Sequence, residues 1–337
     1  MSNEDATPPL IIVSNRGPAQ FDRGGDGDRV MSRDGGGLVT ALSGLVANRH
    51  ALWIASAMTE EDIAVADEND HQPIDVEMDG VSYRVLTVES DPVAYDRFYN
   101  VIANPILWFI QHYLWDLSNA PDIRQAELDA WDKGYQVVNR DIADAVLAQI
   151  EGRDGPVVML HDYHLYTAPA MIRAARPDAF LYHFVHIPWP QADAWRVLPS
   201  RIRQAVFEGL LGNDIIGFHT SNYCINFLAC CERLMDLEVD YDKLTVTHDG
   251  GKTLVRPYPL PIDAERLHRA AATREVAEAE MEVLARRREF LILRVDRADL
   301  SKNVLRGFTA FDTFLSEHQE FRERVTFVAH LQPSRQD

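Results

Sequence analysis

The feature that most constrains the fold is an alternation of short apolar runs with longer segments that carry an apolar stripe. Leu10–Val13, Val157–Leu160 and Ile215–Phe218 have the length of buried strands, whereas 126–149 and 201–211 show helical spacing. Strands separated by helices run parallel, so the order predicts an α/β fold with a parallel sheet covered on both faces. Further strands are predicted at 51–55, 82–88 and 179–186, further helices at 37–49, 105–117, 167–175 and 222–234, and a Gly-rich loop at 18–36.

The run Pro257-Tyr258-Pro259-Leu260-Pro261 breaks this alternation, because such a density of proline fits neither a helix nor a central strand. We therefore predict two domains, residues 1–256 and 263–337, with a Pro-rich hinge at 257–262. Beyond the hinge we expect a charged helix at about 265–287, strands at 290–295 and 324–330, and a helix at 304–318. One strand–helix–strand unit cannot cover a sheet on both faces, so the second domain is expected to be incomplete. The alternative is a compact subdomain docked on the first domain.

Charge and composition exclude several classes of protein. The net charge of -19 repels nucleic acids and anionic membranes. A phosphate site must therefore be built locally from a few arginines and backbone N–H groups. The chain has no apolar run of transmembrane length and no basic, apolar leader, and its three cysteines suit neither a disulfide framework nor a metal site. We expect a cytoplasmic protein without a membrane or nucleic-acid partner.

Two segments of the first domain combine a strand end with groups that bind ligands. Ser14-Asn15-Arg16 ends the first strand, and Gly35-Gly36-Gly37 precedes a helix whose free N–H groups favour an anion. Strand ends are where open α/β sheets bind ligands. The alternative for the glycines is an ordinary surface loop.

Histidines and an aspartate follow two further strands. Asp162, in His161-Asp162-Tyr163-His164, can accept hydrogen bonds from ligand hydroxyls or balance positive charge, or it caps the next helix. His186 is predicted at the end of the next strand, which favours a site shared with Asp162. One Asp and two His on a tight turn rarely converge on one ion, so a metal is disfavoured.

The second domain carries Asp296-Arg297 and Lys302 between a strand and a helix. Two cations beside a helix start fit a diphosphate. The alternative is a solvated loop with an Asp–Arg ion pair. Aromatic residues, among them Tyr99 and Trp108, either stack on ligand rings or belong to the core.

Seven motifs together, from Ile11 to about Arg335, resemble trehalose-6-phosphate synthases, which are glycosyltransferases of the GT-B type with two Rossmann-like domains. The motifs are Val13-Ser14-Asn15-Arg16, Gly36-Gly37-Leu38, Asn104-Pro105-Ile106-Leu107-Trp108, His161-Asp162-Tyr163-His164-Leu165, His186-Ile187-Pro188, Gly217-Phe218-His219-Thr220 and Asp296-Arg297 with Ser301-Lys302. The resemblance implies a retaining glucosyltransferase. It would transfer glucose from a nucleoside-diphosphate glucose (UDP-glucose or similar) to glucose 6-phosphate, giving α,α-trehalose 6-phosphate.

The resemblance also implies roles on the acceptor side. Arg16, Tyr99 and Arg335 would hold the phosphate of glucose 6-phosphate. Trp108 and Asp162 would contact the acceptor sugar.

Further implied roles concern the donor. Gly36 and Gly37 would approach the diphosphate, and His186 would bond the transferred glucose and stabilise the oxocarbenium-like state. Arg297 and Lys302 would neutralise the leaving nucleoside diphosphate. Since these cations replace a divalent ion, the resemblance implies no metal, no other cofactor and no protein nucleophile.

Departures from the family pattern keep other functions open. Ser56 stands where the family has a tryptophan, and Trp195-Arg196 lies in a segment that differs. A related synthase with another acceptor, of the glucosylglycerol-phosphate or validoxylamine-phosphate kind, is one alternative. The family's Asp-Gly-Met-Asn-Leu segment, which holds the nucleotide sugar, would lie beyond Asp337, so we expect the chain to bind the donor weakly. A second alternative is therefore a truncated, non-catalytic protein that binds a sugar phosphate. A homo-oligomer is left open.

Overall fold

A computed structural model of the chain describes residues 10–33, 38–39, 42, 46, 51–78, 80–114 and 121–333. The chain divides into two compact units, Met1–Leu260 and Pro261–Asp337. The division falls within the segment 257–262. No helix among the described residues is both long and apolar enough to cross a bilayer.

A large sheet forms the centre of the first unit. Its strands, in the order in which they lie side by side, are β10 (Glu238–Asp240), β11 (Thr245–His248), β12 (Gly251–Pro257), β9 (Ile215–Phe218), β8 (Phe180–Phe184), β7 (Val157–His161), β1 (Leu10–Ser14), β4 (Leu52–Ser56), β6 (Val81–Val88) and β5 (Ile74–Met78). The strands from β12 to β6 are parallel, while β10, β11 and β5 add antiparallel edges. This architecture confirms the α/β prediction. The edge strands, which the sequence analysis did not predict, need no crossover helix because short turns connect them.

Both faces of the centre of the sheet are covered, which explains why the central strands are largely apolar. Ile11 and Val13 pack in one core cluster with Ile142 and Val146, whereas Ile12 packs on the opposite face. Successive strand residues point to opposite faces, so every position of β1 is buried. The helices with described bounds in this unit are Glu60–Glu68, Pro92–Asp96, Phe109–Gln111, Gln125–Ala130, Gln136–Ile150, Ala168–Ala175, Ala192–Trp195, Ser200–Leu211 and Ser221–Met235, with a 3₁₀ turn at Tyr163–Leu165.

Two helical stretches contain π-helical turns, at Arg97–Trp108 and Trp131–Tyr135. The first of them corrects the prediction of a helix from residue 105. Pro105 lies inside a helix that begins at Pro92, rather than at its start. Proline lacks the N–H that an α-helix would use, and the wider π turn accommodates this loss.

The segment predicted as a loop at 18–36 contains an antiparallel hairpin, β2 (Ala19–Arg23) and β3 (Arg29–Arg33). Gly27 closes its turn with a φ of 89°, a conformation that suits glycine. The density of glycine and aspartate therefore marked a turn between strands rather than a continuous loop.

The described part of the second unit contains one parallel pair of strands, β13 (Phe290–Arg297) and β14 (Val325–Gln332), connected through the helix Val304–Glu317. The single charged helix predicted at 265–287 is wrong, because two helices occupy this region, Ala264–Ala271 and Arg274–Arg286. Thr273 caps the second helix by accepting a hydrogen bond from the Val276 N–H at 3.4 Å.

Candidate active site

The strand order reverses next to β1. After β1 the chain adds β4 and β6 on one side, and then β7, β8 and β9 on the other side. Open α/β sheets bind ligands in the crevice outside the carboxyl ends of the strands at such a reversal. Asn15 and Arg16 follow β1 and Asp162 follows β7, so these residues flank the crevice.

Asp162 occupies an unusual backbone conformation, with φ 68° and ψ 177°. Its N–H donates to the Phe184 carbonyl at 2.8 Å, and its Oδ1 accepts from the His186 N–H at 3.2 Å. Its side chain does not cap the following 3₁₀ turn. The interpretation of Asp162 as a helix cap is therefore wrong, and its carboxyl group joins the ends of β7 and β8 instead.

His186 lies beyond the end of β8, since the strand ends at Phe184 rather than at residue 186 as predicted. Its ring lies edge-on to the Phe184 ring, with 4.6 Å between centroids, and its Nε2 is 3.2 Å from His161 Nδ1. Burial, with the neighbouring His219 and His183, lowers the pKa of His186 to about 3. The His186 ring is therefore neutral near pH 7.

Two further histidines tie the strand ends together. The His183 Nε2 donates to the Asp162 carbonyl at 3.0 Å, and the His219 Nε2 donates to the His186 carbonyl at 3.1 Å. Burial lowers the pKa of His183 to about 4 and places the pKa of His161 well below its usual value. We call His161, His183, His186 and His219 the histidine cluster.

A buried polar network holds the loop that follows Asp162. The Tyr135 hydroxyl donates to the Tyr163 carbonyl at 2.7 Å and accepts from the Tyr166 N–H at 3.1 Å. Asn139 donates to the His164 carbonyl at 2.9 Å. Tyr135 and Asn139 were not predicted as site residues; the signal that the sequence offers for them is an asparagine within the apolar stripe of a helix.

Arg16 and Tyr99, far apart in sequence, meet beside this loop. An Arg16 guanidinium nitrogen donates to the Tyr99 hydroxyl at 3.2 Å. The Tyr99 ring stacks on His164 with centroids 5.9 Å apart and planes inclined by 11°. A guanidinium and a phenol hydroxyl held together at a strand end form a pair of donors suited to an anionic oxygen.

Ser56 at the end of β4 belongs to the same edge of the sheet. Its hydroxyl donates to Asn15 Oδ1 at 3.2 Å, and the Tyr95 hydroxyl donates to the same oxygen at 3.2 Å. Trp195, the other departure from the family pattern, is fully buried and packs on Trp189 with centroids 4.6 Å apart. Ser56 therefore stands at the crevice, whereas Trp195 is a core residue.

Of the other residues predicted to bind the substrates, the structure describes Trp108 but not Gly36, Gly37 or Arg335. Trp108 is partly buried and its ring lies against His112, with 4.1 Å between centroids. Gly36 and Gly37 lie outside the described residues, as does Arg335 near the end of the second unit.

In the second unit, Arg297 is the last residue of β13 and forms an ion pair with Asp299, with 2.6 Å between Nη2 and Oδ2. The Arg297 side chain is 49% exposed. Lys302 ends the 3₁₀ turn Leu300–Lys302. Both cations thus lie at the carboxyl end of β13, and the Asp–Arg pair anticipated as an alternative is present in the same loop.

Among the described residues, no group of three or more His, Cys, Asp or Glu is arranged to hold a metal ion. The three cysteines are buried free thiols in the helix Ser221–Met235. Burial raises the pKa of Cys224 to about 11 and that of Cys230 to about 12. These thiols therefore have the character of core residues rather than nucleophiles.

Comparison with known proteins gives a consistent family match. The model of glycosyltransferase family 20 matches residues 8–337. The chain is 32% identical over 334 residues to the UDP-forming alpha,alpha-trehalose-phosphate synthase of Schizosaccharomyces pombe, covering 97% of the chain and 61% of that protein. It is 33% identical over 344 residues to the UDP-forming alpha,alpha-trehalose-phosphate synthase 1 of Aspergillus niger, with 97% and 61% covered. The chain thus spans about three fifths of the length of these relatives.

Solved structures resemble the chain over nearly its whole length. The N-terminal domain of Candida albicans trehalose-6-phosphate phosphatase superposes with a TM-score of 0.79 at 24% identity, covering 99% of this chain and 66% of that one. A trehalose-6-phosphate structure from E. coli bound with UDP-2-fluoro glucose superposes with a TM-score of 0.76 at 23% identity, with 97% and 65% covered. At these identities the likeness shows the fold, which is the predicted GT-B type.

Proposed function

The chain belongs to glycosyltransferase family 20, and from this premise we propose that the protein that carries it transfers glucose from UDP-glucose to glucose 6-phosphate. The product would be α,α-trehalose 6-phosphate, with the anomeric configuration retained. The observation that supports this most is the meeting of Asp162, His186 and the Arg16–Tyr99 pair at the reversal of the strand order. The choice of uridine rests on the relatives, which are UDP-forming synthases.

The acceptor would bind at the first unit. Arg16 and Tyr99 offer donors to the phosphate of glucose 6-phosphate, and arginine's planar fork suits phosphate oxygens. Asp162 and Trp108 would contact the acceptor sugar, and Arg335 would add a further phosphate contact. In this arrangement a few local cations overcome the repulsion of a phosphorylated substrate by a chain whose net charge is -19.

In the transfer step, the bond between glucose C1 and the diphosphate oxygen breaks, and the acceptor hydroxyl bonds to C1 on the same face while its proton leaves with the diphosphate. Positive charge develops at the sugar ring and negative charge on the leaving group. A neutral His186 can hydrogen-bond the sugar without adding a repelling charge, and its lowered pKa of about 3 keeps it neutral. The Asp162 carboxyl group balances the developing positive charge.

Arg297 and Lys302 would stabilise the departing diphosphate, and the backbone at Gly36 and Gly37 would approach it. With two cations in this role, the proposed reaction needs no metal ion, no cofactor and no protein nucleophile. Catalysis then rests on positioning and on electrostatic stabilisation of the leaving group.

The test uses the full protein that carries this chain. It is given UDP-glucose and glucose 6-phosphate, UDP release is measured, and the product is identified by NMR. Glucose without phosphate and ADP-glucose or GDP-glucose serve as controls for the two substrate assignments. No UDP release with any phosphorylated acceptor would refute the proposal.

A second candidate keeps the fold and the donor but changes the acceptor. Ser56 favours it, because a small hydroxyl residue bonded to Asn15 leaves more room at the crevice than the tryptophan of the family. A panel that adds glycerol 3-phosphate and cyclitol phosphates distinguishes the two candidates. Strict dependence on glucose 6-phosphate excludes this second one.

A further inference from the structure

The contact between His161 and His186 is a hydrogen bond whose direction matters for the site. The atoms involved are His161 Nδ1 and His186 Nε2, which lie 3.2 Å apart. Both rings are neutral near pH 7, because burial lowers the pKa of each. A neutral imidazole has one N–H and one bare nitrogen, so one ring donates and the other accepts.

The other two members of the histidine cluster have their tautomers set by their partners. His183 Nε2 and His219 Nε2 both contact backbone carbonyls, which can only accept, so each Nε2 carries a hydrogen. In the neutral His183 ring the bare nitrogen is therefore Nδ1. This atom is buried and has no hydrogen-bond partner in the described part of the chain. The interior around the cluster thus already holds one unpartnered bare ring nitrogen.

The surroundings of His161 Nε2 distinguish the two directions of the His161–His186 bond. His161 Nε2 is also buried and lacks a partner within the described ranges. If His161 accepted the bond, its Nε2 would carry a buried N–H without an acceptor, and orphaned buried N–H groups are rare in proteins. If His161 donates from Nδ1, its Nε2 is bare, as in His183.

We infer that His161 is a positioning residue that donates from Nδ1 to His186 Nε2 and thereby holds His186 in the Nδ1–H form. His186 Nδ1, the ring nitrogen that does not face His161, then carries the hydrogen and acts as a hydrogen-bond donor. Its partner would be an oxygen atom, such as a sugar hydroxyl or an anionic oxygen, rather than an N–H group. The identity of that oxygen rests on the proposed function; the tautomer itself does not.

The direct test is NMR of the protein labelled with [¹⁵N]histidine, recorded near pH 7 without any substrate. Protonated and bare ring nitrogens resonate at different ¹⁵N frequencies, and the His186 signals are assigned by their loss in His186→Gln. We expect a protonated Nδ1 and a bare Nε2 in His186. An Nε2–H form of His186 in the unsubstituted protein would overturn the inference.

Two substitutions test the part played by His161. Asn places its amide nitrogen near the position of Nδ1, so His161→Asn keeps a donor, whereas His161→Leu removes it. We expect the Nδ1–H form of His186 to persist in His161→Asn and to give way to the Nε2–H form in His161→Leu. An unchanged tautomer in a folded His161→Leu, with folding checked by circular dichroism, would contradict the assigned role.

Activity provides a second readout. In the full protein, His161→Leu should lower kcat about tenfold or more with little change in the acceptor KM, as loss of one aligned hydrogen bond predicts, and His161→Asn should restore most of it. An equal loss in both variants would argue for a purely structural role. If the protein transfers no glucose at all, the proposed function fails while the NMR result still decides the role of His161.

Discussion

Replacing Asp162 by Ala and by Gly tests whether its backbone is strained. With φ 68° and ψ 177°, this residue lies in a region that is essentially restricted to glycine. Both substitutions remove the carboxyl group and its bond with the His186 N–H, so that loss cancels in the comparison. The difference between the free energies of unfolding of the two variants therefore reports the backbone strain at this position.

The expected difference follows from two opposing effects. A non-glycine residue in this region costs about 1–3 kcal/mol, which Gly avoids. Gly also makes the unfolded chain more flexible, which lowers the free energy of unfolding by about 0.5–1 kcal/mol relative to Ala. Asp162→Gly should therefore be more stable than Asp162→Ala, by up to about 2.5 kcal/mol.

Urea unfolding followed by tryptophan fluorescence measures this difference, because all six tryptophans belong to the first unit. The matched control is Asp144, which is exposed within the helix Gln136–Ile150. There the order should reverse, with Gly less stable than Ala by about 1 kcal/mol. If Ala were the more stable residue at both positions, the backbone of residue 162 would not be strained.

Other measurements test the buried network and the assigned roles. The folded pKa of His183, about 4, lies below the usual 6.5, so the unfolded state binds the proton more tightly and stability falls as pH drops from about 6.5 to about 4. His183→Gln keeps an amide donor but cannot titrate. In this variant the loss of unfolding free energy between pH 6.5 and pH 4 should be smaller by up to about 3 kcal/mol. The same pH dependence of urea unfolding in the variant and the unsubstituted protein would contradict this. Tyr135→Phe should cost about 1–3 kcal/mol in the same assay, because it removes a hydrogen bond from each of two buried backbone groups, whereas the surface change Tyr241→Phe should cost under about 0.5 kcal/mol. Equal costs would refute the bracing role of Tyr135. In the full protein, Arg16→Ala should raise the acceptor KM more than it lowers kcat, while Arg297→Ala should lower kcat about 10²–10³-fold; steady-state kinetics with wild-type values in either variant would reject its role.

The central strands β1, β4, β7, β8 and β9 could be predicted because each is a short apolar run that is largely buried. The predictions failed where the same residue types are compatible with two different local structures. Glycine and aspartate in 18–36 suit a loop as well as a hairpin turn. Pro105 suits a helix start as well as a π-helical turn, and the helix starts instead at Pro92, where the Asp91 side chain accepts from the Ala94 N–H at 2.9 Å.

For the site, sequence alone determined that Arg16, Asp162 and the His186 segment lie at the carboxyl edge of one sheet, because parallel strands share that edge. It could not determine which side chains meet there. The bonds from Tyr135 to Tyr163 and from His161 to His186 join residues 28 and 25 positions apart. The partners of such buried polar groups depend on how helices and loops pack over the strand ends. Tertiary structure alone therefore decided the backbone conformation of Asp162 and the neutral state of the histidines beside it.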